Sequence, residues 1–326
     1  MSKPSIIVLY NQPVLPSDHP EAESERSVVK IADKVIATLK SAGYRASPLA
    51  LGCDPAVLWS ALKEREPSAV FNLFEGNPDH AETETYVAGL LEWAGIPFTG
   101  SPAATLALAR CKDTTKHLVK GAGLPTADFV VVDALPMPRP PLSFPVIVKP
   151  ARQDASVGVD QSSVCTRQAQ VEERVEQLLK TFGPPVLVEA YIAGREFHVP
   201  LMELPTLEAL PIMEITFPSG SSAWPILTYA DKWERDIPPR FPCDLPHAVL
   251  QRLGALAMQA YRLLGCRDYA RVDFRMNAAN EPFILEVNPN PEISAGAGYA
   301  SNLGRASLSH HEFIVKLAEQ ALARGK

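Results

Sequence analysis

Residues 283–291 read Phe-Ile-Leu-Glu-Val-Asn-Pro-Asn-Pro, an apolar strand that ends in polar side chains. Because side chains alternate between the two faces of a strand, Glu286 and Asn288 lie on the same face. A carboxylate and a carboxamide are thus presented together at the end of a rigid element. The stretch predicts that this strand carries a site.

A second strand repeats the arrangement. Residues 269–275 read Tyr-Ala-Arg-Val-Asp-Phe-Arg, with Arg271 and Asp273 on one face. If the two segments pair as neighbours, three oxygen-bearing side chains and a guanidinium gather at one place. Hard oxygen ligands suit Mg²⁺, which completes its shell with water and phosphate oxygens. The alternative is a pair of strands whose polar residues merely face solvent.

A third segment has the character of a phosphate site. Residues 144–150 read Phe-Pro-Val-Ile-Val-Lys-Pro, a β-branched strand with Lys149 near its end. The loop behind it, residues 151–159, is built of small residues and contains Gly158, so its backbone N–H groups can approach an anion. The sequence contains neither a Walker-type loop nor a dinucleotide-binding glycine fingerprint. A solvated lysine is the alternative.

A predicted hairpin adds two carboxylates. Residues 186–199 indicate strand, turn and strand, with the turn at 193–194. Glu189 ends the first strand and Glu196 opens the second. These groups could accept hydrogen bonds from an adenine amino group or from ribose hydroxyls, or they could be ordinary solvated charges.

Composition describes an ordinary globular chain of 326 residues, with 46% hydrophobic and 21% charged residues. A net charge of -6 gives no reason to expect nucleic-acid or membrane-surface binding. There is no signal-peptide pattern and no apolar run of the ~20 residues that a membrane span needs. The five cysteines are scattered, so we expect reduced thiols and a cytoplasmic protein.

The order of apolar and turn segments predicts alternating strands and helices at the amino terminus, and hence a parallel sheet. Strands are expected at residues 6–10 and 70–74, with a strand between them that ends at residues 49–51, and helices are expected at 27–41, 55–66 and 82–94. Later helices are expected near 247–264 and 309–323. The chain is long enough for two or three domains.

Taken in order, seven segments resemble the ATP-grasp superfamily and, within it, the D-alanine–D-alanine ligase group. The resemblance runs from about residue 70 to residue 290. It implies an α/β and α+β fold of three units. These are an N-terminal parallel α/β (pre-ATP-grasp) domain at 1–104, a small central subdomain at 105–190 and a C-terminal subdomain at 191–326 that carries the metal site. The matching segments are 111–116, 146–150, 155–158, 188–197, 230–232, 271–273 and 286–288.

The resemblance implies ATP as cofactor. Lys112 and Lys149 are expected to contact its phosphates, and Ser156 does so through its backbone or hydroxyl. Glu189 and Glu196 are expected to hold adenine and ribose. The remaining residues expected to bind the nucleotide are Ala190, Tyr191, Leu285 and, in a mobile loop over the γ-phosphate, Lys232.

The resemblance also implies two Mg²⁺ ions, for which Mn²⁺ can substitute, held by Asp273, Glu286 and Asn288. Arg271, Lys232 and Ser156 are the expected catalytic residues. The implied reaction is carboxylate activation: phosphorylation to an acyl phosphate, followed by attack of an amine to form a peptide or amide bond. Small-molecule carboxylates and amines are the expected partners, and relatives suggest a homodimer.

The amino-acid half departs from the family pattern. Ala155 replaces the first serine of the small-residue loop, and Trp233 replaces the tyrosine after the loop lysine. Tryptophan accepts no hydrogen bond and alanine offers no hydroxyl, so the family's triad is broken twice. The amino-terminal glutamate of that triad has only an inexact match, at Glu23 or Glu25.

Three further segments differ from the family pattern: 289–292, 295–299 and 72–76. They place Glu292 beside the second-substrate site and Tyr299 near it. We take Glu23, Glu25, Trp233, Glu292 and Tyr299 as candidate substrate residues.

Three functions remain open from the sequence. The first is a ligase acting on substrates other than two D-alanines, with Glu292 favouring an amine or a cationic second substrate. The second is a true D-alanine–D-alanine ligase with an unusual pocket. The third is a non-catalytic ATP-binding regulator.

Overall fold

The computed structural model describes residues 3–14, 22–77, 80–154, 156–217, 224–228, 239–241, 244–294 and 297–325, with the backbone alone at 22–26 and 239–240. Among these residues, no helix is both long and apolar enough to cross a membrane. Four of the five cysteines are described and each is a free thiol, as predicted; Cys243 lies outside the described residues.

The first sheet is parallel, with strand order β2-β1-β3, as the alternation of strands and helices predicts. Its central strand is buried because helices cover the sheet. The second helix is capped by Asp54, whose side chain accepts from the Ala56 N–H. The elements are β1 (Ser5–Asn11), α1 (Ala22–Ser41), β2 (Arg45–Leu51), α2 (Pro55–Arg65), β3 (Ala69–Leu73) and α3 (Thr83–Trp93). The first helix begins five residues earlier than predicted, and the second strand ends at Leu51, as predicted.

The second sheet has strand order β4-β7-β5-β6 and is antiparallel. One helix packs its apolar face on β5 and β7, and their valines and leucine form one core cluster. The elements are α4 (Ala103–Ala109), α5 (Lys112–Gly121), β4 (Phe129–Val132), β5 (Val146–Pro150), a 3-10 turn (Gln161–Ser163), β6 (Val164–Cys165), α6 (Gln168–Phe182) and β7 (Val186–Ala190).

The third sheet has strand order β11-β10-β8-β12-β13, with β9 on β8. A helix covers one face, and the last helix packs against α1 of the first sheet. The elements are β8 (Arg195–Glu203), β9 (Leu207–Ala209), β10 (Met213–Ile215), β11 (Pro239–Arg240), α7 (His247–Leu264), β12 (Tyr269–Met276), β13 (Pro282–Asn288), α8 (Gly298–Arg305) and α9 (His310–Arg324). The domain boundaries at 104 and 190 stay predictions.

The register of β12 and β13 positions the polar strand ends. The two strands are antiparallel neighbours, as expected, with Arg271 opposite Asn288 and Asp273 opposite Glu286. The pairing shifts immediately after Asp273, where a β-bulge follows. Bulges re-aim side chains and are frequent beside functional sites.

Candidate functional site

The second and third sheets enclose a cavity of about 890 Å³, its open mouth included. Clefts between such units are common ligand sites. β5 and β7 supply one wall, and β8, β12 and β13 supply another. The residues predicted for the nucleotide or metal that line it are Lys112, Lys149, Ser156, Glu189, Ala190, Tyr191, Glu196, Asp273, Leu285 and Glu286.

Glu189 lies in the floor of the cavity, only 1% exposed, between two lysines. Its Oε2 is 2.7 Å from Lys116 Nζ, and its Oε1 pairs with Lys149 Nζ. Burial raises the pKa of the Glu189 carboxyl, but the two ammonium groups outweigh burial and bring it down to about 2. Apart from these two ammonium groups, neither carboxylate oxygen has a hydrogen-bond partner in the described part of the chain. The carboxylate is therefore ionised and keeps acceptor capacity for a donor group in the cavity, such as an amino group.

Lys112 begins α5 and is buried. Its ammonium donates to the Gln153 carbonyl and to Asp154 Oδ1, both at 2.7 Å, and lies 3.5 Å from Glu286 Oε2. Burial lowers the pKa of Lys112, but Glu286 and Asp154 outweigh burial and raise it. A permanent positive charge thus stands between the small-residue loop and the strand of the oxygen cluster.

The oxygen cluster forms at the strand ends as the alternation predicts. The Arg271 guanidinium donates two hydrogen bonds to the Asp273 carboxylate, from Nε to Oδ1 at 2.7 Å and from Nη2 to Oδ2 at 2.8 Å. Asn288 Nδ2 lies 3.1 Å from Asp273 Oδ2 and 3.5 Å from Glu286 Oε1. Across the described ranges, no set of three His, Cys, Asp or Glu side chains is arranged as metal ligands. Two carboxylates and a carboxamide nevertheless fit Mg²⁺, which needs few protein ligands.

Glu196 is buried beside two residues that the sequence reasoning did not assign. Arg275 Nη1 is 3.3 Å from Glu196 Oε2, and His198 Nε2 is 3.2 Å from Oε1. Arg275 also donates to the Pro225 carbonyl at 2.8 Å and lies over the Tyr191 ring. Strand alternation places Arg275 on the same face as Arg271 and Asp273, so the sequence could have predicted that Arg275 belongs to the site.

A second pocket, of about 400 Å³, lies between the first sheet and the segment after β13. Glu75, Glu84 and Glu292 all line it. Burial raises the pKa of Glu75 to about 7, with help from Glu292, and burial likewise raises the pKa of Glu84 to about 7. The Glu75 side chain is exposed within the pocket, and the walls of the pocket surround it. Asn290 Nδ2 lies 3.3 Å from Glu84 Oε1.

The family model described as "D-ala D-ala ligase C-terminus" matches residues 118–319. The chain belongs to the D-alanine–D-alanine ligase family. An uncharacterized protein of Sinorhizobium fredii, y4sG, is 32% identical over 306 residues, which are 90% of this chain and 88% of that protein. A D-alanine–D-alanine ligase of Cupriavidus metallidurans is 32% identical over 305 residues, 92% of this chain and 88% of that protein. The ATP-grasp resemblance stated from the sequence is confirmed.

The fold agrees with the family. The D-alanine–D-alanine ligase from Bacillus anthracis complexed with ATP superposes with a TM-score of 0.77 over 98% of each chain, at 20% identity. At that identity the likeness concerns the fold, and the predicted fold class is confirmed.

Of the described residues singled out from the family pattern, Arg271, Asn288 and Tyr299 line neither pocket. Tyr299 is 1% exposed in a core cluster, and its hydroxyl donates to the Leu201 carbonyl at 2.9 Å. We therefore assign Tyr299 to packing rather than to substrate. Ala155, Lys232 and Trp233 and the side chains of Glu23 and Glu25 lie outside the described residues.

Sequence reasoning also assigned no role to two charged residues next to the predicted phosphate lysines and Glu189, namely Lys116 and Asp154. Asp154 pairs with Lys112, and Lys116 pairs with Glu189, the carboxylate that also pairs with Lys149. Lys116 follows Lys112 by one helical turn on α5, so their shared face is a signal that could have been used. Asp154 is 42 residues from Lys112, and no local pattern connects them.

Proposed function

We propose that this member of the family is an ATP-dependent, ADP-forming carboxylate–amine ligase that makes a peptide or amide bond on substrates other than two D-alanines. The observation behind the proposal is that one cavity is lined by two lysines, two hairpin carboxylates and two carboxylates of the oxygen cluster that the family pattern assigns to ATP and Mg²⁺: Lys112, Lys149, Glu189, Glu196, Asp273 and Glu286. These come from segments far apart in the chain, so a shared cavity is not a consequence of sequence proximity.

In this proposal the nucleotide lies between the second and third sheets. Lys112 and Lys149 attract its phosphates as point charges, and the loop at Ser156 supplies backbone N–H groups. Glu189, with unused acceptor capacity on the cavity floor, accepts from the adenine amino group. Glu196 holds ribose hydroxyls. Ala190, Tyr191 and Leu285 supply the apolar walls.

Asp273, Glu286 and Asn288 would hold Mg²⁺, with two ions expected and Mn²⁺ an acceptable substitute. Metal bound there neutralises the charge of the transferring phosphoryl group. Arg271, anchored by Asp273, is held rigidly with its guanidinium at the same place. It stabilises the crowded negative charge of both steps, phosphoryl transfer to the carboxylate and collapse of the tetrahedral intermediate after amine attack.

The second pocket supports a substrate pair other than two D-alanines. Three carboxylates, Glu75, Glu84 and Glu292, line one pocket. They disfavour a second carboxylate-bearing substrate and favour an amine or a cation by charge complementarity. A second candidate function has its own support: relatives at 32% identity bear the name D-alanine–D-alanine ligase. Turnover with D-alanine alone, inhibited by D-cycloserine, would favour that candidate.

The metal assignment is tested with Asp273→Asn and Glu286→Gln, which keep side-chain shape and remove charge. Both are expected to abolish Mg²⁺-dependent ATP turnover while the circular dichroism spectrum stays that of the wild type. Glu281→Gln is the matched control, because Glu281 is exposed in the turn at the opposite end of the same hairpin. Turnover that persists in Asp273→Asn and Glu286→Gln would refute the assignment.

A further inference from the structure

Two lysines share one buried carboxylate, but they differ in their access to the cavity. The Lys149 side chain is 13% exposed and lines the cavity. The Lys116 side chain is 3% exposed and lies behind Glu189. Lys149 can therefore reach a ligand in the cavity, whereas Lys116 does not line the cavity.

Lys116 is also tethered. Its ammonium donates to Thr126 Oγ1 at 2.6 Å, and the Thr126 hydroxyl donates to the Ile284 carbonyl at 2.9 Å. This chain of contacts joins α5 to β13, the strand that carries Glu286. Burial lowers the pKa of Lys116 and Lys149 lowers it further, while Glu189 raises it, so the charge of Lys116 depends on Glu189.

In the described part of the chain, the ammonium groups paired with Glu189 are Lys116 on α5 and Lys149 on β5. Lys120, one turn beyond Lys116 on α5, pairs with Asp128 instead. On the neighbouring strand β4, Phe129 stands opposite Glu189 and carries no charge. If the Lys149 ammonium turned to a phosphate, Lys116 would be the one cation still paired with Glu189 among the described residues. A buried carboxylate that loses its partners is strongly destabilised and takes up a proton instead.

We propose that Lys116 is a positioning residue: it keeps Glu189 ionised and in place, so that Lys149 is able to leave Glu189 for a nucleotide phosphate. The inference rests on the nucleotide site of the proposed function. It differs from a packing role, because it ties the charge of Lys116 to the protonation of Glu189 during binding.

The test is calorimetric titration of the full chain with ATP and Mg²⁺, in buffers of different ionisation enthalpy so that proton uptake is measured. The wild type is expected to take up almost no proton. Lys116→Met is expected to take up close to one proton, and its dissociation constant for ATP to rise about tenfold per pH unit between the Glu189 pKa of the free variant and the higher Glu189 pKa of its complex. Lys116→Arg restores the charge and is expected to behave as the wild type.

Lys120→Met is the matched control, since Lys120 lies one turn further on the same helix in an exposed ion pair with Asp128. If Lys116→Met binds as the wild type does and takes up no proton, the inference is wrong while the proposed function stands. If the wild type itself does not bind ATP with Mg²⁺, both are overturned.

If Lys116→Met does not fold, Glu189→Gln is compared with the double variant Lys116→Met/Glu189→Gln. Neither protein has a charge at 189, so removing Lys116 is expected to change the dissociation constant less than about threefold. A further loss of about tenfold or more would show that Lys116 acts on the nucleotide by another route, and would overturn the inference.

Discussion

Replacing Glu84 by glutamine is expected to stabilise the protein at pH 8 and to leave its stability nearly unchanged at pH 4.5. Burial is the main effect that raises the pKa of Glu84. The hydrogen bond from Asn290 lowers this pKa and the charge of Glu75 raises it, so that the pKa rises from 4.5 to about 7. A carboxyl group whose pKa is raised by folding contributes full stability below its unfolded pKa. That contribution is lost as the pH rises through the folded pKa.

The size of the effect follows from the shift. A difference of about 2.5 pH units, 7 minus 4.5, corresponds to a ceiling of about 3.5 kcal/mol at about 1.4 kcal/mol per unit. Glu84 is partly exposed and coupled to Glu75, so solvent screening reduces the expected gain to roughly 1–2 kcal/mol at pH 8. Glutamine keeps an oxygen to accept from Asn290 and carries no charge to desolvate.

The assay is urea unfolding of the wild type and Glu84→Gln at both pH values, followed by circular dichroism. Glu64→Gln is the control, because Glu64 is exposed on α2. An equal difference in unfolding free energy at the two pH values, or a less stable variant at pH 8, would refute the account of the acidic pocket.

Three further predictions concern the site and its frame. Asp154→Asn removes a carboxylate that competes with phosphate for Lys112, so calorimetry is expected to show ATP binding tighter by roughly threefold to tenfold; unchanged or weaker binding would contradict this. Arg271→Lys loses the bidentate hydrogen bonding to Asp273. Turnover is therefore expected to fall by about 100-fold or more, while the affinity for ATP changes less than about threefold. Parallel losses of turnover and affinity would contradict a transition-state role. Gly194→Ala would place a methyl group 2.0 Å from a backbone carbonyl oxygen at φ +149°, so thermal unfolding is expected to show a loss of about 2–4 kcal/mol. Gly95→Ala, which meets open space, is expected to lose less; equal losses would refute the steric argument.

The strand pair at the centre of the site could be predicted because it depends on local rules. Alternation alone places Glu286 and Asn288 on one face, and the neighbouring segment with Asp273 has the same design. The parallel first sheet followed in the same way from alternating strands and helices. The family pattern then predicted which residues belong together, and the cavity contains most of them.

The remaining contacts depend on where distant elements meet. Asp154 pairs with Lys112 across 42 residues, and neither segment alone indicates it. The acidic pocket joins Glu75, Glu84 and Glu292 from three segments, of which only the last was singled out. Tyr299 was misjudged from its place in the family pattern, because α8 turns it into the core.

The most direct test of the central claim is release of ADP and phosphate from ATP and Mg²⁺ against single and paired carboxylate and amine substrates, with mass spectrometry of the products. Basic amino acids and amines belong in the panel with D-alanine because of the acidic pocket. Turnover of ATP is expected to require two substrates, one of them an amine or cation. The product is expected to be lighter than the sum of the two substrates by one water. Turnover with D-alanine alone, yielding its dipeptide, would contradict the proposed substrate class. Nucleotide binding without turnover for any pair would contradict the ligase itself.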